Sequence, residues 1–551
     1  MIKKSLLFLV IFVFAFLSSC NNKKDHPNRV VIGIPADVNT FNPLFASSVD
    51  EGAITELLYL SLADFKWNEN LGELEAFPML AKSWEWALDS SSITFYLRND
   101  VKWSDGEPFT AEDVVFSLDV YSDPNVNSRL YGIFEILYTD EENHIDVEKT
   151  FVVKSDYELQ INFLPGSTPN FLDIVHPVIP KHIFSKYERK DLATAEDNFN
   201  PVTNSPFVLI KWDRNQTITL GINKNSFLYN PGSIDELVFK IIPDYTARLT
   251  QLKKNEIDLM ELIQTEDMEE LNNMDNLKIK TIDGREYDYI GWNNIDTKSY
   301  TENGKITRNN LFGTKEIRIA LTYAINRNEI LEEYLYNYGV LAASPVSPIF
   351  AYYYNPDIIQ FNYDPEKARH ILTDQGWRDT NNDGIIDKNG LEFEFNLTIP
   401  GGNPLRNYAS TIVKNNLKAV GINMSIETLE MGAFIDKLIA KSLNAWMAAW
   451  YIPVPIELKA FWYSDLQTTP LNFVSYQNTY ADIIIDKLKK PSPKEKQREL
   501  YFEFQKIIHE DQPVTFMYWI SNIVGINSIV ENIVISPLGA VTHCWEWSIA
   551  E

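Results

Sequence analysis

The chain has 551 residues, 13% of them aromatic, and a formal net charge of −27. That length suffices for about three to four domain-sized units with self-supporting cores. The acidity is spread along the chain and excludes a nucleic-acid partner, which needs a basic stripe.

Met1-Ile-Lys3-Lys4, an apolar run from Leu6 to Leu17 and then Ser18-Ser19-Cys20 read as a secretory signal, residues 1–19, because the run is too short to span a bilayer. Leu17-Ser18-Ser19-Cys20 resembles the bacterial lipobox, which implies cleavage before Cys20 and its acylation with fatty chains such as palmitate. A signal cut elsewhere, leaving Cys20 a plain thiol, is the alternative. Several acyl chains, at ~0.8 kcal/mol per buried methylene, would hold the protein on a membrane surface. The only other cysteine is Cys544, so a lipidated Cys20 leaves no intrachain disulfide and stability rests on packing. Residues 20–28 form a polar tether.

Folded structure is expected from Arg29. Strand-like runs at Arg29 to Ile34, Thr94 to Leu97, Tyr157 to Phe163, Thr217 to Ile222, Glu236 to Ile242 and Phe393 to Ile399 alternate with capped helices, a mixed α/β reading. Thr110-Ala-Glu-Asp113 has the spacing of a capping box and opens a helix with Val114, Val115 and Leu118 inward. A helix is expected after Gly313-Thr314, with Ile317, Leu321, Ala324 and Ile325 on its apolar face. Asp364-Pro365-Glu366 opens another, and Gly376 sits where a C-terminal cap belongs. Ser492-Pro493-Lys494-Glu495 is read as a cap with proline at the first helical position, followed by Leu500, Phe504, Ile507 and Ile508 at helical spacing.

Catalytic patterns are missing: there is no nucleophile elbow, zincin motif or phosphate-binding Gly-Lys loop, and the seven histidines are scattered. One segment has metal-ligand spacing. Asp379, Asn381, Asp383 and Asp387 occupy positions 1, 3, 5 and 9 of a loop with Gly384 at position 6, as in a calcium-binding loop. Gly390 stands where the bidentate glutamate belongs, which favours an Asx-rich turn instead. No cofactor is expected.

The blocks Pro78-Met-Leu80-Ala81-Lys-Ser-Trp84-Glu85, Thr94-Phe-Tyr-Leu-Arg98 and Val101-Lys-Trp103-Ser-Asp105-Gly106-Glu-Pro108-Phe109-Thr110-Ala111 through Ser117 closely resemble extracellular solute-binding protein family 5. These are the oligopeptide, dipeptide and nickel receptors of ABC importers. Asn42-Pro43, Pro180-Lys-His-Ile183, Arg318 to Arg327 and Tyr363 to Ala368 follow in the family's order. The resemblance implies a two-lobed α/β periplasmic-binding-protein fold of the large, cluster C type, with an extra subdomain on lobe I. Lobe I would comprise residues 29–72, 200–291 and 517–551, with the appended subdomain at 73–199, and lobe II residues 292–516.

Further implications of the resemblance concern the site. Ser47, Ser48, Val49 and Tyr131 would face the cleft, and Trp450, Tyr451, Ile452 and Pro453 would run alongside an extended peptide added as a strand. Tyr287, Tyr289, Trp292 and Asn293 would lie by the first crossing between lobes and Tyr518 and Trp519 by the second, with simple core packing as the alternative. Peptide-binding members carry an aspartate for the peptide's α-amine where Pro453 stands here. An unpaired desolvated ammonium costs several kcal/mol, which argues against ordinary free-amine peptides, and Glu457 and Asp465 are the nearest acidic substitutes.

The resulting expectation is a lipid-anchored, monomeric, non-catalytic receptor on the periplasmic face of the cell envelope, or on the outer surface of a single-membraned cell. It would enclose a peptide or small solute and present it to an ABC permease. A sensing or scavenging role without transport, or an enzyme with a dyad not visible in the sequence, are the alternatives.

Overall fold

A computed structural model describes residues 28–550 apart from residues 127, 129–133, 135, 168 and 491. Cys20 and Tyr131 lie outside the described residues.

Among the described residues the largest element is an eleven-stranded sheet. One half of it comprises β1 (Arg29–Ile34), β8 (Phe207–Asp213), β9 (Thr217–Ile222), β10 (Glu236–Ile241) and β11 (Leu259–Met260). The other comprises β16 (Glu394–Pro400), β17 (Asn423–Leu429) and β18 (Ala445–Tyr451), and the short β13 (Gly339–Leu341) hangs at the junction. Two long strands, β12 (Leu277–Trp292) and β19 (Val514–Asn527), pair with each other and run through both halves. Their register breaks between Ile282 and Glu286, at Gly284, where an added β-carbon would meet the carbonyl of Ile520. A bulge of this kind lets the two halves twist away from one another.

Each half has its own core. Val30, Ile32, Leu220, Leu237 and Phe239 of the first half pack into one large cluster with Trp103, in the segment that follows Phe95, and with Phe95 and Leu159 of a separate four-stranded sheet. That sheet runs β4 (Ala81–Trp86), β5 (Ser92–Leu97), β7 (Glu158–Asn162), β6 (Phe151–Ser155). In the second half Ile290, Trp292 and Leu397 pack on one face, and Tyr287, Tyr289 and Trp446 on the other. The alternation follows the two-residue period of a strand. Among the described residues no helix is long and apolar enough to cross a membrane.

The helix signals hold in three places and fail in part at one. Thr110 and Asp113 form a capping box on the helix Ala111–Ser122, with Val114, Val115 and Leu118 buried. Lys315–Ala324 is helical after Gly313-Thr314, and Asp364 caps Pro365–Asp374 through the amide of Lys367, with Gly376 in the left-handed region just beyond. The helix Lys494–Asp511 forms with Leu500, Phe504 and Ile508 inward, but Ser492 does not cap it. Pro493 is the capping residue and the Ser492 hydroxyl is buried without a partner, because the proline displaces the hydroxyl by one position.

Candidate functional site

Strand directions locate the site. β1 runs parallel to β10 and β11, β11 is antiparallel to β19, and β19 is antiparallel to β12, so β1, β10 and β11 all run with β12 toward the junction. Beyond the junction β12 is antiparallel to β18, and β16 is parallel to both β17 and β18, so these three strands run back toward it. The C-terminal ends of the parallel strands in the two halves therefore point at each other across the crossing. Ligands of open α/β sheets bind outside the carboxyl ends of their strands.

Large apolar side chains are exposed at these ends. Val49, in the segment after β1, is 85% exposed, and Leu262, two residues past β11, is 71% exposed. On the opposing side Tyr451, the last residue of β18, is 50% exposed and Met431, two residues past β17, is 49% exposed. An apolar lining with few polar groups is what a pocket for an organic solute requires.

Ser47, Ser48 and Val49 open the helix Val49–Glu56 at this edge. The Ser48 hydroxyl caps Glu51, whose carboxylate accepts from the amide and hydroxyl of Ser47 at 2.6 and 2.8 Å and from the amide of Asn39. Burial raises the carboxyl pKa of Glu51, but those donors outweigh it and hold it below the usual range. Glu51 thus fixes the loop that carries the two serines. Opposite, Arg285 on β12 donates to the Ile452 carbonyl at 3.1 Å, to the Tyr451 hydroxyl and to the Pro537 carbonyl at 3.0 Å. It fastens the end of β18 to the C-terminal segment of the chain. Pro453 follows, half-buried. Glu457 is engaged by the amides of Lys459 and Ala460, and Asp465 by the amide of Gln467 and the hydroxyl of Thr468, so both carboxylates serve local turns.

Beneath this rim the aromatics are packed. Tyr289 stacks on Trp450 at 6.3 Å and 9°, Trp450 stacks on Phe473 at 5.1 Å, and Tyr287 lies against Trp519 at 4.8 Å and Phe516 at 5.5 Å. Tyr287, Tyr289, Tyr518 and Trp519 are buried. Trp292 and Asn293 sit at the far end of β12, where Trp292 Nε1 donates to Thr515 and Asn293 Nδ2 to the carbonyls of Lys441 and Leu443. The Ser47 loop lies near the end of β11, where Asp50 comes close to Glu261, the Tyr451 to Pro453 segment lies at the end of β18, and Trp292 and Asn293 lie in the second half's interior.

Charges at the junction were hidden from sequence reading. Arg406, near the start of the helix Pro404–Ala419 that follows β16, donates to both oxygens of Asp288 on β12, at 2.7 and 3.3 Å. Burial pushes the Asp288 carboxyl up and the guanidinium pulls it back. Glu286 lies two residues away, and burial raises its carboxyl pKa as well. Glu261, after β11, is raised by burial and relieved by the amide of Ala540, while Asp50, raised by burial, faces Arg248. No spacing rule links residues so far apart, although the strand-end position of Glu261 and Leu262 was available as a signal once β11 was known.

In the Asp379 to Asp387 loop the Asp379 carboxylate accepts from the amides of Asn382 and Gly384, Asp383 from Ile385 and Asp387 from Thr380. The oxygens are engaged by the loop's own donors, the geometry of an Asx turn. Among the described residues no group of three or more His, Cys, Asp or Glu side chains is arranged to hold a metal ion.

Two sheet halves joined by two continuous strands, with an apolar-rimmed cleft at facing strand ends, define a two-lobed solute-binding protein. Residues 75–471 match the family model described as bacterial extracellular solute-binding proteins, family 5 Middle, and the chain belongs to that family. It is 28% identical to the oligopeptide-binding protein AppA of Bacillus subtilis, over 100% of this chain and 99% of that protein. The AppA structure in complex with a nonapeptide superposes with a TM-score of 0.72 over 95% of this chain and 100% of that one. The nickel-binding periplasmic protein of Escherichia coli is 26% identical, over 73% of this chain and 71% of its own length.

Proposed function

We propose that the protein is a lipid-anchored receptor that encloses a peptide or another small solute between its lobes and presents it to an ABC permease, without catalysis of its own. The observation that carries this reading is the facing of the parallel-strand ends, with Val49 and Leu262 on one side and Met431 and Tyr451 on the other. In the proposal Cys20 is the acylation site and lobe divisions fall near residues 72, 199, 291 and 516. The ligand's main chain lies along Tyr451 to Pro453, with Ser47, Ser48 and Tyr131 opposite. Pro453 has neither a charge nor an N–H for an amine, and Glu457 and Asp465 are committed to turns. The ligand is therefore a peptide with a blocked or distant amine, or a non-peptide solute.

Native mass spectrometry of the protein purified without denaturant, with identification of what is released on unfolding, tests this. A defined bound mass of a blocked peptide or solute supports it. An empty protein that no member of a broad peptide and solute panel stabilises overturns it, since ligand at 100 times its dissociation constant adds ~2.7 kcal/mol.

A further inference from the structure

A second cavity, of about 310 Å³, lies at the end of the second half remote from the cleft. Asn294 on its wall follows the end of β12, and Asp511 precedes the start of β19. Eight residues of largely extended chain separate Asn294 from Glu286 at the junction, about 26 Å at 3.3 Å per residue. The cavity therefore cannot be part of the cleft.

Its charges do not balance. Arg318 is buried and spends its donors on three carbonyls, those of Gln512, Phe312 and Asp511, at 2.7, 2.8 and 2.7 Å, so its hydrogen bonds go to dipoles while the carboxylates of Asp511 and Glu316 oppose its charge through space. The Asp511 carboxylate is already engaged by the Tyr476 hydroxyl and Asn478 Nδ2, both at 2.7 Å, with Lys315 Nζ at 3.8 Å. Arg308, also on the wall and exposed, has no hydrogen bond or ion pair among the described residues. Its stem lies against Gly313, where a β-carbon would collide with it. On the cavity wall two arginines, Arg308 and Arg318, face one carboxylate, that of Asp511, in a protein whose net charge is strongly negative. The wall also holds Ser475, whose hydroxyl is buried without a partner on a residue in the left-handed region. A buried polar group is ordinarily paired, and one that is not marks a place where a partner is missing.

We propose that this cavity is a second binding site, for a small oxyanion such as inorganic phosphate, sulfate or a small carboxylate. Arg308 supplies the guanidinium fork, which matches two oxygens of such an ion, and Ser475 supplies a hydroxyl. The volume is at the lower end of those found for ligand sites, enough for the ion with its water or for a small organic acid. The site is independent of the cleft and of what the cleft binds.

The test is thermal unfolding and titration calorimetry of the full chain with sodium phosphate and sodium sulfate, each against sodium chloride at matched ionic strength. The expected result is a saturable rise in Tm with phosphate or sulfate beyond that with chloride, a tenfold or greater loss of affinity in Arg308→Ala, and a measurable loss in Ser475→Ala. Arg308 is exposed, so its variant should fold, and circular dichroism checks that. Equal responses to phosphate, sulfate and chloride, or an Arg308→Ala titration that matches the parent, overturn the proposal.

Discussion

Arg406 Nη2 stands 2.7 Å from Asp288 Oδ1, tying the helix after β16 to the strand that crosses between the lobes. Both side chains are buried and each is the other's counter-charge. Removing one partner leaves a charge without solvent or partner, whereas replacing both by apolar residues removes the desolvation cost together with the attraction. Arg406→Ala is expected to lose about 3–5 kcal/mol of unfolding free energy. The double variant Asp288→Leu, Arg406→Met should lose far less, as read from urea denaturation midpoints and slopes.

The exposed rim separates binding from folding. Leu262 is largely exposed and Tyr451 half exposed, so Leu262→Asp and Tyr451→Ala should change stability by no more than about 1 kcal/mol, the Tyr451 change including the loss of its contact with Arg285. If the cleft encloses the co-purifying ligand, each should weaken its binding about tenfold or more, equivalent to ~1.4 kcal/mol. Calorimetric titration of the released ligand onto the refolded variants checks this. Unchanged affinity in both would mean that the rim does not touch the ligand.

Gly72, at the turn between β2 (Ala63–Asn68) and β3 (Glu73–Pro78), lies against the backbone of Ile349 to Ala351, whose middle residue Phe350 belongs to the second lobe's core. Tyr352 donates its amide to the Leu71 carbonyl at 3.0 Å, Lys494 pairs with Glu73, and Trp67 meets Phe350 edge-on at 5.8 Å. With φ at +64° and no room for a β-carbon, Gly72→Val should push the hairpin off the second lobe. A fall in Tm together with a larger radius of gyration in small-angle scattering is expected. A fall in Tm at constant radius would mean that the hairpin alone is disturbed.

Lys441 is buried and donates to the carbonyls of Asn472 and Pro470, at 2.8 and 3.4 Å. Burial pushes its pKa down from 10.5 to about 8. The unfolded chain therefore holds the extra proton between those values, so this residue makes stability rise with pH across that window and adds no pH dependence below it. The difference in unfolding free energy between the parent and Lys441→Met should grow by roughly 3 kcal/mol from pH 8 to pH 10.5, at ~1.36 kcal/mol per pH unit. A difference independent of pH would place the ammonium in contact with water.

Much of the fold was legible because its signals are local. The capping box of Thr110 and Asp113, the aspartate-proline start at Asp364 and the strand run Arg29–Ile34 each depend on residues a few positions apart, and each appears where the spacing puts it. The failure at Ser492 has a local cause as well, since a hydroxyl before a proline competes with the proline for the capping position. The aromatics by the crossings were harder to read. Alternation along β12 gives two faces but not which face is covered, and both are, because helices pack on each side of the second lobe's sheet.

The sequence by itself determined the family, the mixed α/β class and the positions of most helix starts, all carried by short contiguous patterns. Only the tertiary structure decided that Tyr287, Tyr289 and Trp519 lie inside while Val49, Leu262, Met431 and Tyr451 stand exposed. It alone paired Asp288 with Arg406, 118 residues away, and put Arg308 and the Ser475 hydroxyl on one cavity wall with no side-chain partner among the described residues. The reason is physical: hydrophobic burial and charge pairing depend on what the rest of the chain brings alongside, and strand direction across eleven strands is set by pairings that no local spacing encodes.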